Sequence, residues 1–337
     1  KGFQEALPDA TFDLLPIGDG GEGTMDTLAG VLNLTKKHTQ VTGPFGKPVS
    51  MAYYRKDEMA FFEMASLVGL GSIPAEKRNP LELETRGIGE LILQLVDQGV
   101  KTICVGIGGS ATNDGGIGMA AGLGVAFYDD QGHLLRPVGA SLDRVARIDT
   151  SAVPNTLKDI KLQVLTDVTN PLCGSQGATY IFGGQKGLNS LLFPAVDQAM
   201  EDFYQLVDPR ILSMAGAGAG GGMAAGLVAF AGGQISSGIE KSLDLIDFDR
   251  KVQKADLVVV GEGRMDLQSL SGKAPVGVAK RTPDKIPVLA ICGSLAEDLP
   301  VFPSHHIDAA FSIVPGPCEV ADALAHAERN LISCARN

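Results

Sequence analysis

Short runs of β-branched and apolar residues alternate along this chain with stretches whose apolar positions recur every three or four residues. That alternation predicts an α/β protein. Residues 11–17 read as a strand entering Gly18-Asp19-Gly20-Gly21-Glu22-Gly23-Thr24, with a helix over 25–31. Residues 48–54 and 59–64 read as a hairpin turning at 55–58. A helix over 83–98 places Leu91, Ile92, Leu95 and Val96 on one face, and a buried strand over 101–105 runs into a glycine loop at 106–118. Further strands are expected over 125–128, 161–165, 257–260, 286–291 and 309–314. Further helices are expected over 117–121, 189–207, 223–231 and 320–335, with Pro194 tolerated only near a first turn. The first eight residues read as the end of a helix. The strand-loop units near 17–24 and 257–264 share an apolar strand followed by Gly-Asp/Glu-Gly, which suits two members of one parallel sheet.

Composition narrows the function classes. The 337 residues suit two domains, with one large α/β domain also open on length alone. Forty-three of them are glycine, about 13% against a usual ~7%, and the excess is clustered, which points to special turns rather than a flexible linker. A net charge of −11 disfavours nucleic acid and anionic membranes as partners. The cysteines, Cys104, Cys173, Cys292, Cys318 and Cys334, show no CxxC or CxxH pairing, so reduced thiols in the cytoplasm are expected. No apolar run suffices to span a bilayer and no signal peptide opens the sequence.

The chemistry is expected in the loops. Gly106-Ile107-Gly108-Gly109-Ser110-Ala111-Thr112-Asn113-Asp114-Gly115-Gly116 follows a strand and precedes a short helix. Successive backbone N–H groups there can converge on a phosphate or carboxylate. Ser110 and Thr112 would add hydroxyls, and Asp114 either a metal ligand or a cap. Gly106-x-Gly108-x-x-Ala111 also fits the dinucleotide fingerprint, with Asp129 or Asp130 about twenty residues on. That keeps open an NAD-dependent dehydrogenase of a small 2-hydroxy acid, although residues 113–116 would interrupt the fingerprint's helix. Gly216-Ala217-Gly218-Ala219-Gly220-Gly221-Gly222 is either a second anion loop or a close-packed corner. Asp19 with Glu22, Asp167, and Glu262 with Asp266 each follow the end of an expected strand, where ligands of open α/β sheets collect. Arg264 and Lys273 add positive charge beside these acids, suited to a carboxylate or to developing phosphoryl charge.

In this order, the stretches 16–24, 108–116, Thr166-Asp167-Val168-Thr169-Asn170-Pro171-Leu172, Gly261-Glu262-Gly263-Arg264-Met265-Asp266 and Ser271-Gly272-Lys273-Ala274-Pro275 resemble the type I glycerate kinase family. The resemblance spans essentially the whole chain. It implies ATP- and Mg2+-dependent phosphorylation of D-glycerate, most simply at the 2-hydroxyl, and leaves room for a homo-oligomer. It also implies two α/β domains, a Rossmann-like parallel-sheet domain with a second α/β domain inserted; the boundaries expected are 1–40 plus 255–337 for the former and 41–254 for the latter. On that basis Gly108, Gly109, Ser110, Ala111, Thr112, Asn113 and Asp114 would hold ATP, and Asp19, Glu22, Glu262, Arg264 and Asp266 the substrate. Asp167, Asp19, Arg264 and Lys273 would be catalytic, with Asp167 and Asp266 as ligands of Mg2+. Family members open with a strand and an Asp-Ser-Phe-Lys loop that would precede the first residue here.

Overall fold

The structure, a computed structural model, describes residues 1–18, 20, 21, 23–270 and 273–337, with the backbone alone for Gln268. They form two compact units, one of Gly18–Gly238 and one of Lys1–Ile17 with Ile239–Asn337.

The larger unit is built on a six-stranded sheet. Strands β1 (Thr35–Thr42), β2 (Pro48–Lys56) and β3 (Met59–Glu63) run antiparallel in succession, with Asp57 in the left-handed conformation at the β2–β3 turn. Strand β4 (Thr102–Gly106) lies parallel to β3, while β5 (Ala126–Tyr128) and β6 (Arg147–Asp149) form a separate antiparallel pair. Strands β7 (Lys161–Leu165) and β8 (Gln234–Ser236) complete the sheet in parallel, in the order β1-β2-β3-β4-β7-β8. The register aligns Glu63, Gly106, Leu165 and Ser236 in one row, so four parallel strands end level with one another.

The central strands are apolar on both faces because both are covered. Phe62, Ile103, Val105 and Val164 share a core with Ile88, Leu91, Ile92 and Leu95 of the helix Arg86–Asp97 and with Met223 and Leu227 of the helix Met223–Ala231. A second cluster gathers Phe127, Phe203, Tyr204 and Phe230 in tilted and edge-on ring contacts.

The smaller unit carries a three-stranded parallel sheet of β9 (Val258–Val260), β11 (Val288–Cys292) and β13 (Ala309–Ser312), with β11 central. Two short strands, β10 (Arg264–Met265) and β12 (Ser294–Leu295), pair in parallel beside it. Arg281 ties the helix Ala274–Arg281 to Asp244 and Asp249 at 2.7 and 2.6 Å. The helix Gly2–Ala6 packs on the helix Ala327–Arg336; a Cβ on Gly2 would sit 2.3 Å from the Ile332 carbonyl oxygen.

Several expectations are corrected. Residues 11–17 form no strand, and Phe12 and Leu14 stay exposed, because no neighbouring strand among the described residues offers them a ladder. They are therefore not a sheet partner of β9, which pairs with β11. Strand β1 was not foreseen: its sequence TKKHTQVT is polar and only Val41 is buried, the pattern of an edge strand protected by lysines. The helix expected from residue 83 starts at Arg86, since the Thr85 hydroxyl is drawn to Asp114 at 2.6 Å. The single C-terminal helix is two, Val320–Ala325 and Ala327–Arg336, with His326 between them.

Candidate active site

In the larger unit, the level row of strand ends gathers loops of different origin. Gly20 has a φ of +85°, and a Cβ there would lie 2.8 Å from the Leu165 carbonyl oxygen at the end of β7. A Cβ on Gly106 would lie 2.8 Å from the Gly20 carbonyl oxygen, and one on Gly108 would lie 2.7 Å from Gly21 Cα. Glycine is therefore required on both sides of this contact, because two backbones meet with no room for a side chain. The Glu63 carboxylate, at the end of β3, accepts from the amides of Gly23 and Met25 at 3.0 and 2.7 Å. It thereby caps the helix Thr24–Leu32, where a negative charge also complements the helix dipole. Asp19 and Glu22 lie outside the described residues; Gly20 packs against the end of β7, and Gly21 lies against Gly108. Asp167 follows β7, half-buried, and accepts from the Ser237 hydroxyl at 2.6 Å.

The glycine loop past β4 is mostly an interior structure. Ser110, Ala111, Thr112, Asn113 and Asp114 are buried; Gly109 is exposed and Gly108 intermediate. The amides of Gly108, Ala111, Asn113 and Gly115 donate to the carbonyls of Gly20, Val68, Pro80 and Gly221. The amides of Gly109 and Ser110, at the exposed corner, have no acceptor among the described residues. Asp114 accepts from the Thr85 hydroxyl and from the amides of Gly116 and Gly118, so it closes the loop onto the next helix. The Asn113 side chain donates to the Thr179 hydroxyl at 3.0 Å. Lys186, itself buried, donates to the Ser110 hydroxyl at 2.9 Å and the Thr112 carbonyl at 2.7 Å. Burial pushes the Asp114 carboxyl up, against the hydrogen bonds that favour its charge, and pushes Lys186 down to about 7, against the attraction of Asp114.

The second glycine run, 216–222, is a close-packed corner. A Cβ on Gly221 would meet the Thr112 carbonyl oxygen at 2.1 Å, and one on Gly222 would meet Gly115 Cα at 2.7 Å. Its glycines thus support the first loop from behind.

In the smaller unit, Glu262 follows β9, Arg264 is exposed on β10, and Asp266 begins the next turn. The amide of Ser269 donates to Asp266 Oδ1 at 3.1 Å while the Ser269 hydroxyl accepts from the Asp266 amide, a reciprocal cap. The Lys273 amide donates to the Ser269 carbonyl and its own carbonyl accepts from Gly277, placing Lys273 at the head of the helix Ala274–Arg281. Ser271 and Gly272 are outside the described residues. Each unit therefore groups its own candidates: Gly108–Ser110 near Asp167 at adjacent strand ends, and Glu262, Arg264, Asp266 and Lys273 within two consecutive turns.

Sequence reasoning missed Glu63, Thr85, Lys186 and Ser237. Glu63 carried a readable signal, an acid closing an apolar strand. Lys186 stood among the glycines 183, 184 and 187. Thr85 and Ser237 carried none.

A family model described as the glycerate kinase family matches residues 1–337. Glycerate kinase of Neisseria meningitidis serogroup B is 56% identical over 337 residues, which are 100% of this chain and 91% of that protein. Glycerate 2-kinase of Escherichia coli K12 is 40% identical over 344 residues, covering 100% of this chain and 90% of the relative. A crystal structure described as that of a candidate glycerate kinase 2 from Salmonella typhimurium LT2 matches with a TM-score of 0.83 at 40% identity, over 100% of this chain and 90% of that one. The dehydrogenase alternative falls, since the glycerate kinase family model matches the whole chain and the helix begins at Ile117, after the fingerprint has ended. The chain belongs to the glycerate kinase family.

Proposed function

We propose that this protein transfers the γ-phosphoryl group of ATP to the 2-hydroxyl of D-glycerate. The observation that carries the nucleotide assignment is the exposed corner past β4, where the consecutive amides of Gly109 and Ser110 have no acceptor among the described residues. Such a pair of N–H groups suits a phosphate oxygen. Gly108 lets the backbone come close, and Ala111, Thr112, Asn113 and Asp114 hold the corner's shape from within.

In the smaller unit Arg264 and Lys273 offer cationic partners for the glycerate carboxylate, and Glu262 and Asp266 offer acceptors for its hydroxyls; in the larger unit Asp19 and Glu22 are separate candidate acceptors. Asp167 takes the proton of the attacking hydroxyl as its oxygen bonds to the γ-phosphorus and the bond to the bridging oxygen of ADP breaks. Ser237 fixes the orientation of that carboxylate. Among the described residues no three His, Cys, Asp or Glu side chains form a metal cage. Strand-end carboxylates offered singly fit Mg2+, which is commonly held by one or two carboxylates together with substrate phosphates. Asp167 of the larger unit and Asp266 of the smaller unit are the two separate candidate ligands for it. Bound there, the ion would neutralise charge on the transferring phosphoryl group. Among the described residues no helix is long and apolar enough to cross a membrane.

ADP release measured across a panel of small hydroxy acids tests the activity. ADP formation that needs both D-glycerate and Mg2+ is expected, and coupling to enolase without a mutase should report the 2-phosphorylated product directly. Absence of glycerate-dependent ADP would overturn the proposal, and a product invisible to enolase would overturn the position.

A further inference from the structure

Lys186 sits on the turn Gly184–Lys186, between the helices Ala178–Phe182 and Phe193–Val207, and its ammonium reaches the inner side of the glycine loop. It is 3% exposed, and both of its recorded hydrogen bonds go to that loop, to the Ser110 hydroxyl and the Thr112 carbonyl. Ser110 follows the exposed Gly109, and its own amide has no acceptor among the described residues. Nearby, Thr112 Oγ1 and Asn113 Oδ1 are buried without a hydrogen-bond partner among the described residues. The loop is thus not held by a full set of its own bonds, which buried polar groups normally obtain. Besides its backbone bonds, it is tied down by a residue from about 75 positions further along the chain.

A lysine is costly to bury, and a structural role for a loop this short could be met by an apolar side chain. What Lys186 supplies is a two-point hold: one nitrogen bonded to the Ser110 hydroxyl and the Thr112 carbonyl, which pins the inner side of the turn that follows Gly109. We propose that Lys186 is the positioning residue of the phosphate loop, holding it from within so that the Gly109 and Ser110 amides, which have no acceptor among the described residues, stay placed for the ATP phosphates, without itself touching the nucleotide. Burial lowers its proton affinity, and the neutral amine still has two N–H donors for these two acceptors. The inference rests on the assignment of this corner to ATP.

The test is the steady-state kinetics of Lys186→Met, Ser110→Ala and their combination in the full chain, with MgATP and D-glycerate varied separately. Lys186→Met should raise KM for ATP by about tenfold or more, the scale of one charge-assisted hydrogen bond. KM for glycerate should not move, and kcat should fall less than KM(ATP) rises. Ser110→Ala should raise KM(ATP) by a smaller factor and add little to Lys186→Met, because both remove the same bond. Unchanged KM(ATP) in both single variants overturns the inference, as does a parallel change for ATP and glycerate accompanied by lost stability. Should Lys186→Met fail to accumulate folded, Ser110→Ala decides alone by its effect on KM(ATP). Gly109→Ala separates the two layers: Gly109 has a φ of +70°, which resists a Cβ. If that variant leaves KM(ATP) unchanged, the ATP assignment fails; if it raises KM(ATP) while Lys186→Met does not, only the positioning role fails.

Discussion

Asp167 illustrates what a single side chain contributes at a strand end. Its carboxylate sits two residues beyond β7, oriented by the Ser237 hydroxyl at 2.6 Å. As a proton acceptor it should contribute about 10²–10⁴ to the rate, so Asp167→Asn is expected to lower kcat by that factor with a much smaller change in either KM. A kcat within threefold of the parent would remove it from the chemistry. Lys186 gives a second expectation, in stability. Its folded-state pKa of about 7 lies below that of a free lysine side chain, near 10.4. Between those values the unfolded chain holds a proton that the folded chain releases, so this group makes the fold more stable as pH rises from about 7 toward 10. Below pH 7 the folded state carries the whole cost of a buried ammonium. The denaturation midpoint of the parent should therefore rise relative to Lys186→Met as pH increases through that window. A constant difference would show that the lysine does not titrate there. Asp114 acts with the opposite sign: its carboxyl is pushed up by burial, so stability from that group falls as pH rises through its raised range.

Between elements, the decisive contacts are backbone to backbone. Gly226 lies inside the helix Met223–Ala231, and a Cβ there would sit 2.8 Å from Gly116 Cα. Intrinsic propensity favours Gly226→Ala by about 1 kcal/mol in a helix interior. Overpacking against a backbone atom that cannot swing aside costs about 1–3 kcal/mol or more, so the clash wins and the variant should melt lower than the parent. An unchanged or higher melting temperature would show that the corner can open. The same contacts explain what was legible in the sequence. The apolar runs of β3, β4 and β7 and the periodic helix Arg86–Asp97 are visible because burial on one or both faces dictates residue type. Strand β1 was invisible because an edge needs little burial. Residues 11–17 misled because apolar, β-prone sequence cannot make a strand without a partner ladder. At the site, the loops could be read from their glycines and acids. Lys186 and Thr85 could not be assigned, because their roles depend on which distant loop they meet.

For the whole molecule, chain continuity separates the two units. The larger one is a single stretch, Gly18–Gly238, with its sheet and both apolar clusters inside it. The smaller one is assembled from Lys1–Ile17 and Ile239–Asn337. A fragment of residues 18–238 should consequently fold alone, giving a cooperative denaturant transition and mixed α/β circular dichroism; a non-cooperative profile would show that the unit needs the rest of the chain. The glycine corner in that unit has a further bearing, on laboratory evolution. Where Gly116, Gly222 and Gly226 press against the backbone of Gly226, Gly115 and Gly116, any encoded side chain meets atoms that cannot swing aside. A mutant library randomised there would be spent on misfolded protein, whereas substitutions at the less enclosed Arg264 and Lys273, the proposed partners of the glycerate carboxylate, are expected to change acceptor preference while the scaffold is left standing.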